Sequence, residues 1–303
     1  MEINSNVKTI NTKNIIYIKM KISYRSLFLI ISIFILISSC KKDVNKSYSF
    51  FVAGHSYGKP GTSDLGIYKT FKEKFPYINS IPYMKFGVLT GDIVQNPSEA
   101  GWDSIDADIK KLDLDVYFAV GNHDMRDRNL FEERYGITYY DMIINDDLFI
   151  ILDPNIDEWN ISGNQLEFFK TSVKKNYKKV DNIFVLFHQL LWKEDVRFKN
   201  VKVNSLEGKA DTINFWTEIE PVLHKTNKPV YMIAGDIGAA RWSGDYMYYS
   251  YDNIKLIASG MGEGIGDNFL IINIDEFKNV NIDILALQGD MNSLGNIENY
   301  VLP

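Results

Sequence analysis

Cysteine is nearly absent: Cys40 is the single one in 303 residues. That excludes an intrachain disulfide framework and a cysteine zinc site. Proline is scarce, at eight residues, whereas aromatics make up 14% and apolar residues 46%. Such a chain has enough apolar surface for a sizeable core and is not a disordered one. Histidine is equally sparse, at four, so the place of each imidazole matters. Long apolar runs are missing too. Leu27–Ile37 spans only eleven residues, about half of the ~20 that a membrane-crossing helix needs. Basic residues number 33 against 39 acidic ones, a net charge of −6, which leaves no electrostatic footprint for nucleic acid.

The N-terminus has its own character. Lys13, Lys19, Lys21 and Arg25 precede the apolar run, which ends in Ser38-Ser39-Cys40. A basic segment, an apolar segment and small residues make a secretory signal peptide. Ile37-Ser38-Ser39-Cys40 resembles the lipobox of bacterial lipoproteins. The resemblance implies a signal over 1–40, lipidation at Cys40, and a membrane-anchored chain in the cell envelope facing periplasm or exterior. Met20 is an alternative start. Removing residues 1–39 takes away five basic residues and one acid, so the net charge moves from −6 to −10. Residues 41–47 read as a polar tether, and 48–303 as one domain.

Along that domain, apolar strand patterns end in small polar turns and lead to helical patterns. Tyr48–Ala53, Phe86–Thr90, Val116–Val120, Leu148–Leu152, Ile183–Phe187 and Val230–Ala234 read as strands. Helical spacing follows in Ile67–Phe75, Trp102–Leu112 and Phe215–Lys225, and Ser162 stands as an N-cap before Lys170. The tail is different: Tyr246–Tyr251, Ile254–Ser259, Phe269–Ile274 and Val280–Ala286 lack long helices between them, which predicts antiparallel pairing. The whole predicts an α/β sandwich built around two sheets. Ligands in such folds bind at the carboxyl ends of strands, and there stand His55, Asp92, Asn122, His123, His188 and Asp236.

Gly91-Asp92 and Gly121-Asn122-His123-Asp124, each behind a strand, resemble the second and third motifs of calcineurin-like metallophosphoesterases. His188 matches the lone histidine of the fourth. The resemblance covers roughly residues 48–240, and the antiparallel tail would match the family's second sheet. It implies a four-layer α/β/β/α sandwich of two mixed sheets and a metal-dependent phosphoester hydrolase acting on a small phosphorylated substrate. Asp92 would bridge metals, Asn122 and His188 would ligate the second one, His123 would be the acid, and Asp124 would orient it. The chemistry suits the residue types, because phosphoester hydrolysis needs an activated water and charge on the phosphoryl oxygens, which metal ions supply.

Two motifs depart from the pattern. Ala53 stands where the first motif has its aspartate, leaving His55 without its carboxylate partner. Gly235-Asp236-Ile237-Gly238 stands where two histidines belong; Asp236 can ligate and Gly238 cannot. One metal site is therefore expected rather than two, and its oxygen-rich set favours Mn, Mg or Fe over zinc. Asp64, Glu99, Asp103, Asp153, Asp245 and Glu263 are candidate substitutes for the missing ligand, and Arg241-Trp242 a candidate substrate contact. His224, near a helix end, reads as structural. Ser56 has no surrounding nucleophile motif. The alternative function is a catalytically silent relative that binds a phosphorylated or glycan ligand, or a partner protein, in the same cleft.

Overall fold

The computed structural model describes residues 47–303 apart from Ala240, Arg241 and Glu263, within one unit, Asn45–Pro303. The signal peptide, Cys40, residues 41–46 of the tether, Arg241 and Glu263 thus lie outside the described residues. The strands begin with β1 (Tyr48–Ala53), β2 (Met84–Thr90), β3 (Asp115–Ala119), β4 (Tyr140–Ile144), β5 (Asp147–Ile151) and β6 (Ile183–Leu186). They end with β7 (Val230–Ala234), β8 (Tyr246–Tyr251), β9 (Ile254–Ser259), β10 (Asn268–Ile274) and β11 (Val280–Ala286). The helices are α1 (Lys69–Lys72), α2 (Phe75–Ser80), α3 (Glu99–Ile109), α4 (Arg128–Tyr135), α5 (Gly163–Asn176) and α6 (Glu220–His224).

The fold is mixed α/β with two mixed sheets. One has five strands in the order β11-β10-β1-β2-β3, the other six in the order β4-β5-β6-β7-β9-β8. Within the first, β1, β2 and β3 run parallel; within the second, β5, β6, β7 and β9 do. Side chains alternate across a strand, and here both faces are apolar. Phe50 and Val52 of β1 join Phe86, Phe149, Phe184, Leu186 and Ile233 in a core drawn from both sheets. Their neighbours Phe51 and Ala53 pack instead with Phe71, Phe75, Trp102 and Ile105 from α1, α2 and α3. In the same way Leu148 and Ile150 of β5 pack with Phe169 and Val173 of α5 and Leu223 of α6. Burial on both faces explains why these strands read as continuous apolar runs.

The rings between the sheets interlock. Phe50 stacks on Phe86 at 4.9 Å and Phe149 on Phe184 at 4.8 Å, while Phe50 meets Phe149 edge-on at 5.2 Å. Offset and edge contacts suit the ring quadrupoles.

The structure bears out antiparallel pairing in the tail, β8 with β9 and β10 with β11, and the N-cap position of Ser162, and it corrects two expectations. The tail does not form a sheet of its own: β8–β9 extends the six-stranded sheet, with β9 parallel to β7, and β10–β11 extends the other. The crossing is made in the glycine-rich segment 260–267. The helical spacing of 67–75 is split into α1 and α2, with Pro76 in the first turn of α2, a position where a missing N–H costs nothing. Ser162 sits at the N-cap of α5, but its side chain accepts no capping bond.

Candidate functional site

Five loops meet at the carboxyl ends of the parallel strands. Those after β1, β2 and β3 carry His55, Asp92 and Asn122-His123-Asp124; those after β6 and β7 carry His188 and Asp236. The site therefore joins the edges of both sheets. The loops are laced through backbone. His55 N–H donates to Gly91 O at 3.0 Å, Tyr57 N–H to Asp92 O at 3.1 Å, and Asp236 N–H to His188 O at 2.9 Å. Such approaches demand small residues. Gly91 has φ +82°, and a Cβ there would lie 2.4 Å from His188 Nδ1. Both His55 (φ 52°) and Asp92 (φ 51°) occupy the left-handed region, which non-glycine residues adopt at a cost and mostly at functional sites.

His188 and Asp236 face Asp92 across the junction. His188 Nε2 lies 3.4 Å from Asp92 Oδ1 and 3.7 Å from Asp236 Oδ1, outside hydrogen-bond geometry. His188 Nδ1 is 2.8 Å from Thr90 O; a carbonyl only accepts, so Nδ1 carries the proton and Nε2 presents a lone pair when the ring is neutral. Among the described residues neither His188 Nε2 nor either Asp236 oxygen makes a hydrogen bond of good geometry, and all are buried; the Asn204 side chain and the Ser205 backbone act on Asp236 only as weak donors. Acceptors facing acceptors out of water are strongly unfavourable unless a cation joins them. Without an ion, a proton takes that place. Burial lowers the His188 pKa, but Asp92 and then Asp236 outweigh it and raise it to about 10. Burial pushes Asp236 up to about 7, with His188 opposing and Asp92 adding. For Asp92 burial also pushes upward, yet His188, His55 and His123 together hold it below the usual carboxylate range.

Two ligand atoms about 2.1 Å from a common ion stand roughly 3.0–3.4 Å apart, so the 3.4 Å separation from Asp92 fits a shared ion and the 3.7 Å one from Asp236 is slightly wide. Among the described residues no group of three or more His, Cys, Asp or Glu side chains closes into a metal-holding arrangement. The orphaned acceptors are nevertheless the donor set that a divalent cation fits. Asn122 lies at the half-buried rim.

The His55 side differs. His55 Nε2 is 3.7 Å from Asp92 Oδ2, and the ring lies 4.2 Å from that of Tyr57. Burial, helped by the charges of His188 and His123 against that of Asp92, lowers its pKa to about 4, so it is neutral. Of the candidate substitute ligands, Glu99 and Asp103 pair with Arg134 at 3.1 and 2.6 Å. Asp153 pairs with Arg128 at 2.8 Å. Asp64 lines a polar cavity with Gln95 and Asn96, and Asp245 lies against Gly266. Trp242 is exposed and donates to Asn204 O at 3.2 Å. His224 pairs with Asp252 at 3.0 Å, in keeping with a structural role.

His123 and Asp124 divide their work differently from the expectation. Asp124 accepts from Ile93 N–H and Val94 N–H with one oxygen (2.8 and 3.0 Å) and from Gly121 N–H with the other (2.8 Å). It braces the loop instead of the ring. Burial, with Asp92 adding, pushes its pKa up to about 7. The His123 ring is oriented by a backbone carbonyl: Nδ1 donates to Gln95 O at 2.7 Å. Its Nε2 accepts from Arg126 Nη2 at 3.3 Å, and its backbone N–H donates to Asp92 Oδ1 at 3.0 Å. Tyr57 lies 5.1 Å from the ring, and burial, followed by Asp92, holds its phenol above the ordinary tyrosine range. Sequence reasoning missed Tyr57 and Arg126. The signal was present: Arg126 is three residues after His123, one turn of a 3-10 helix, and Tyr57 is two after His55. No protein-family model matches the sequence, and no curated protein matches it.

Proposed function

We propose that this chain is a metal-dependent phosphoester hydrolase of the cell envelope, acting on a small phosphorylated monoester or diester. Its scaffold is then the four-layer α/β/β/α sandwich of calcineurin-like metallophosphoesterases, a reading supported by the inter-sheet core and the two outer clusters with their helices. The lipobox-like Ser38-Ser39-Cys40 supports a lipid-anchored location.

One observation carries the functional reading: His188 Nε2 and the Asp236 oxygens, buried beside Asp92, make no hydrogen bond of good geometry among the described residues. Asp92, His188 and Asp236, with Asn122 at the rim, would hold one divalent ion, and their oxygen-rich set suits Mn, Mg or Fe. Such an ion supplies an activated water and charge for the phosphoryl oxygens. His123, fixed by Gln95 O, passes a proton from Nε2 to the leaving oxygen as its bond to phosphorus breaks. Asp124 keeps Gly121 and the Ile93–Val94 backbone in register, and so sets His123 against Asp92. Thr90 O fixes the His188 tautomer that aims Nε2 at the ion site.

The test is metal content of the full chain, by elemental analysis after incubation with Mn, Mg, Fe and Zn, together with hydrolysis of nitrophenyl phosphate mono- and diesters. About one equivalent is expected, lost in Asp92→Asn and His188→Gln. Turnover should fall about a hundredfold or more in His123→Ala while the metal stays. A chain that takes up no metal overturns the hydrolase reading. It would favour the second one, a ligand-binding protein on this scaffold, which the non-ligating Ala53 and Gly238 already support.

A further inference from the structure

Four described arginines differ in one respect. Arg128 pairs with Asp153 at 2.8 Å, Arg134 with Glu99, Asp103 and Asp106, and Arg197 with Asp195 at 2.8 Å. Arg126 has no carboxylate partner among the described residues. It is exposed, and its guanidinium makes only long contacts to neutral acceptors: His123 Nε2 at 3.3 Å, and Gln95 O and Asn96 Oδ1 at 3.4 Å. Tyr57, 6% exposed, packs against the same His123 ring. Its ring bridges those of His55 and His123 at 4.2 and 5.1 Å. The Tyr57 hydroxyl makes no hydrogen bond among the described residues. A guanidinium with no carboxylate partner and a phenol with no hydrogen bond, both among the described residues, thus lie against the histidine that the proposed reaction uses as its acid.

We propose that Arg126 and Tyr57 form a clamp for the oxygens of a phosphoryl group, standing in for the charge that a second metal ion would bring. The inference rests on the hydrolase reading for its catalytic meaning, and on the two side chains alone for its anion site. The need for it is electrostatic. Negative charge on a transferring phosphoryl group is spread over three non-bridging oxygens, and catalysis consists largely of stabilising it. With Ala53 and Gly238 in the ligand positions, one ion must serve where two would, and its side of the cleft belongs to His188. The His55 side offers only an imidazole packed at a tilt against Tyr57. A guanidinium presents planar paired donors that match phosphate oxygens, and a phenol adds one more. The arrangement also explains the contact at His123. A phosphoryl oxygen is a far better acceptor than an imidazole nitrogen, so a bound substrate draws Arg126 off Nε2 and frees that atom to hold the proton it must deliver.

The test is calorimetric binding of inorganic phosphate to the full chain, metal-loaded and metal-free, with metal content measured on each variant. Arg126→Gln should weaken phosphate about tenfold or more, Arg126→Lys should recover part of that, and Tyr57→Phe should cost roughly threefold. Metal content should be unchanged in all three. Phosphate bound by Arg126→Gln as tightly as by the unaltered chain overturns the clamp. The two readings fail separately. Arg126-dependent phosphate binding by a chain that takes up no metal keeps the clamp and overturns the hydrolase. Metal uptake with phosphate binding indifferent to Arg126 and Tyr57 does the reverse.

Discussion

The two sides of the cleft share one carboxylate, Asp92, and differ in what faces it. On the six-stranded sheet, His188 and Asp236 present buried acceptors that make no hydrogen bond of good geometry among the described residues, a geometry that positive charge among them stabilises. On the five-stranded sheet, His55 is neutral, tilted against the Tyr57 ring, and preceded by Ala53-Gly54 with no carboxylate. The lesson is that ligand residue types alone do not define a metal site. The same imidazole is a candidate ligand where its lone pair meets carboxylates, and a packing ring where an aromatic covers it.

The widest break in this comparison is to remove the floor that both sides stand on. Phe184 packs against Phe50 and Phe149, one ring from each sheet. Phe184→Ala should cost about 3–5 kcal/mol of stability, read by denaturant unfolding, and should loosen both sides together. A loss confined to one side would show that the sheets are held separately.

Acidity sharpens the contrast next. The His188 pKa is raised to about 10 from an ordinary 6.5, so the metal-free fold keeps a proton that the unfolded chain releases. That contribution is complete below pH 6.5 and is lost as pH climbs towards 10, at up to about 1.4 kcal/mol per pH unit. Melting in chelator should therefore fall from pH 7 to pH 9, and a saturating divalent ion should abolish the fall by displacing the proton. A flat profile without metal would place no proton on His188.

Rebuilding the weaker side is a smaller change. Ala53→Asp restores the carboxylate before His55, and metal content should rise from about one equivalent towards two. No rise would mean that Tyr57 occupies the room. The least effect is expected from His55→Gln, which should alter metal affinity by less than about twofold if the ring only packs; a large loss would make His55 a ligand after all.

Much of the architecture was readable because the central strands are buried on both faces: continuous apolar runs ending in small or polar residues mark β1, β7 and β9 to the residue, while the aromatic run of β8 and the alternation in β11 mark those two edge strands. The short α4 and β4 were not foreseen. β4 has alternate exposed positions and pairs only with β5 at an edge, and α4 buries a single phenylalanine, Phe131. Pairing partners were also hidden, since nothing in the spacing of four tail strands says that they divide between two sheets. In the site, the sequence marked which residues end strands, and the loops then brought His55, Asp92, His123, His188 and Asp236 together. What it concealed was the use of each group: Gln95 O rather than Asp124 orients His123, because backbone carbonyls have no sequence signature.

One pairing governs how this molecule comes into being. β1 is flanked by β2 on one side and by β10 on the other, with Tyr48 opposite Ile274. Until β10 has left the ribosome, or has crossed a membrane if the chain is exported, the fully buried β1 has a bare edge. Closing so long a loop is slow, and an open apolar edge invites pairing with another chain. Truncation before β10 should therefore yield aggregates rather than a smaller folded protein, and the chain must be kept apart from its own copies until its C-terminus arrives.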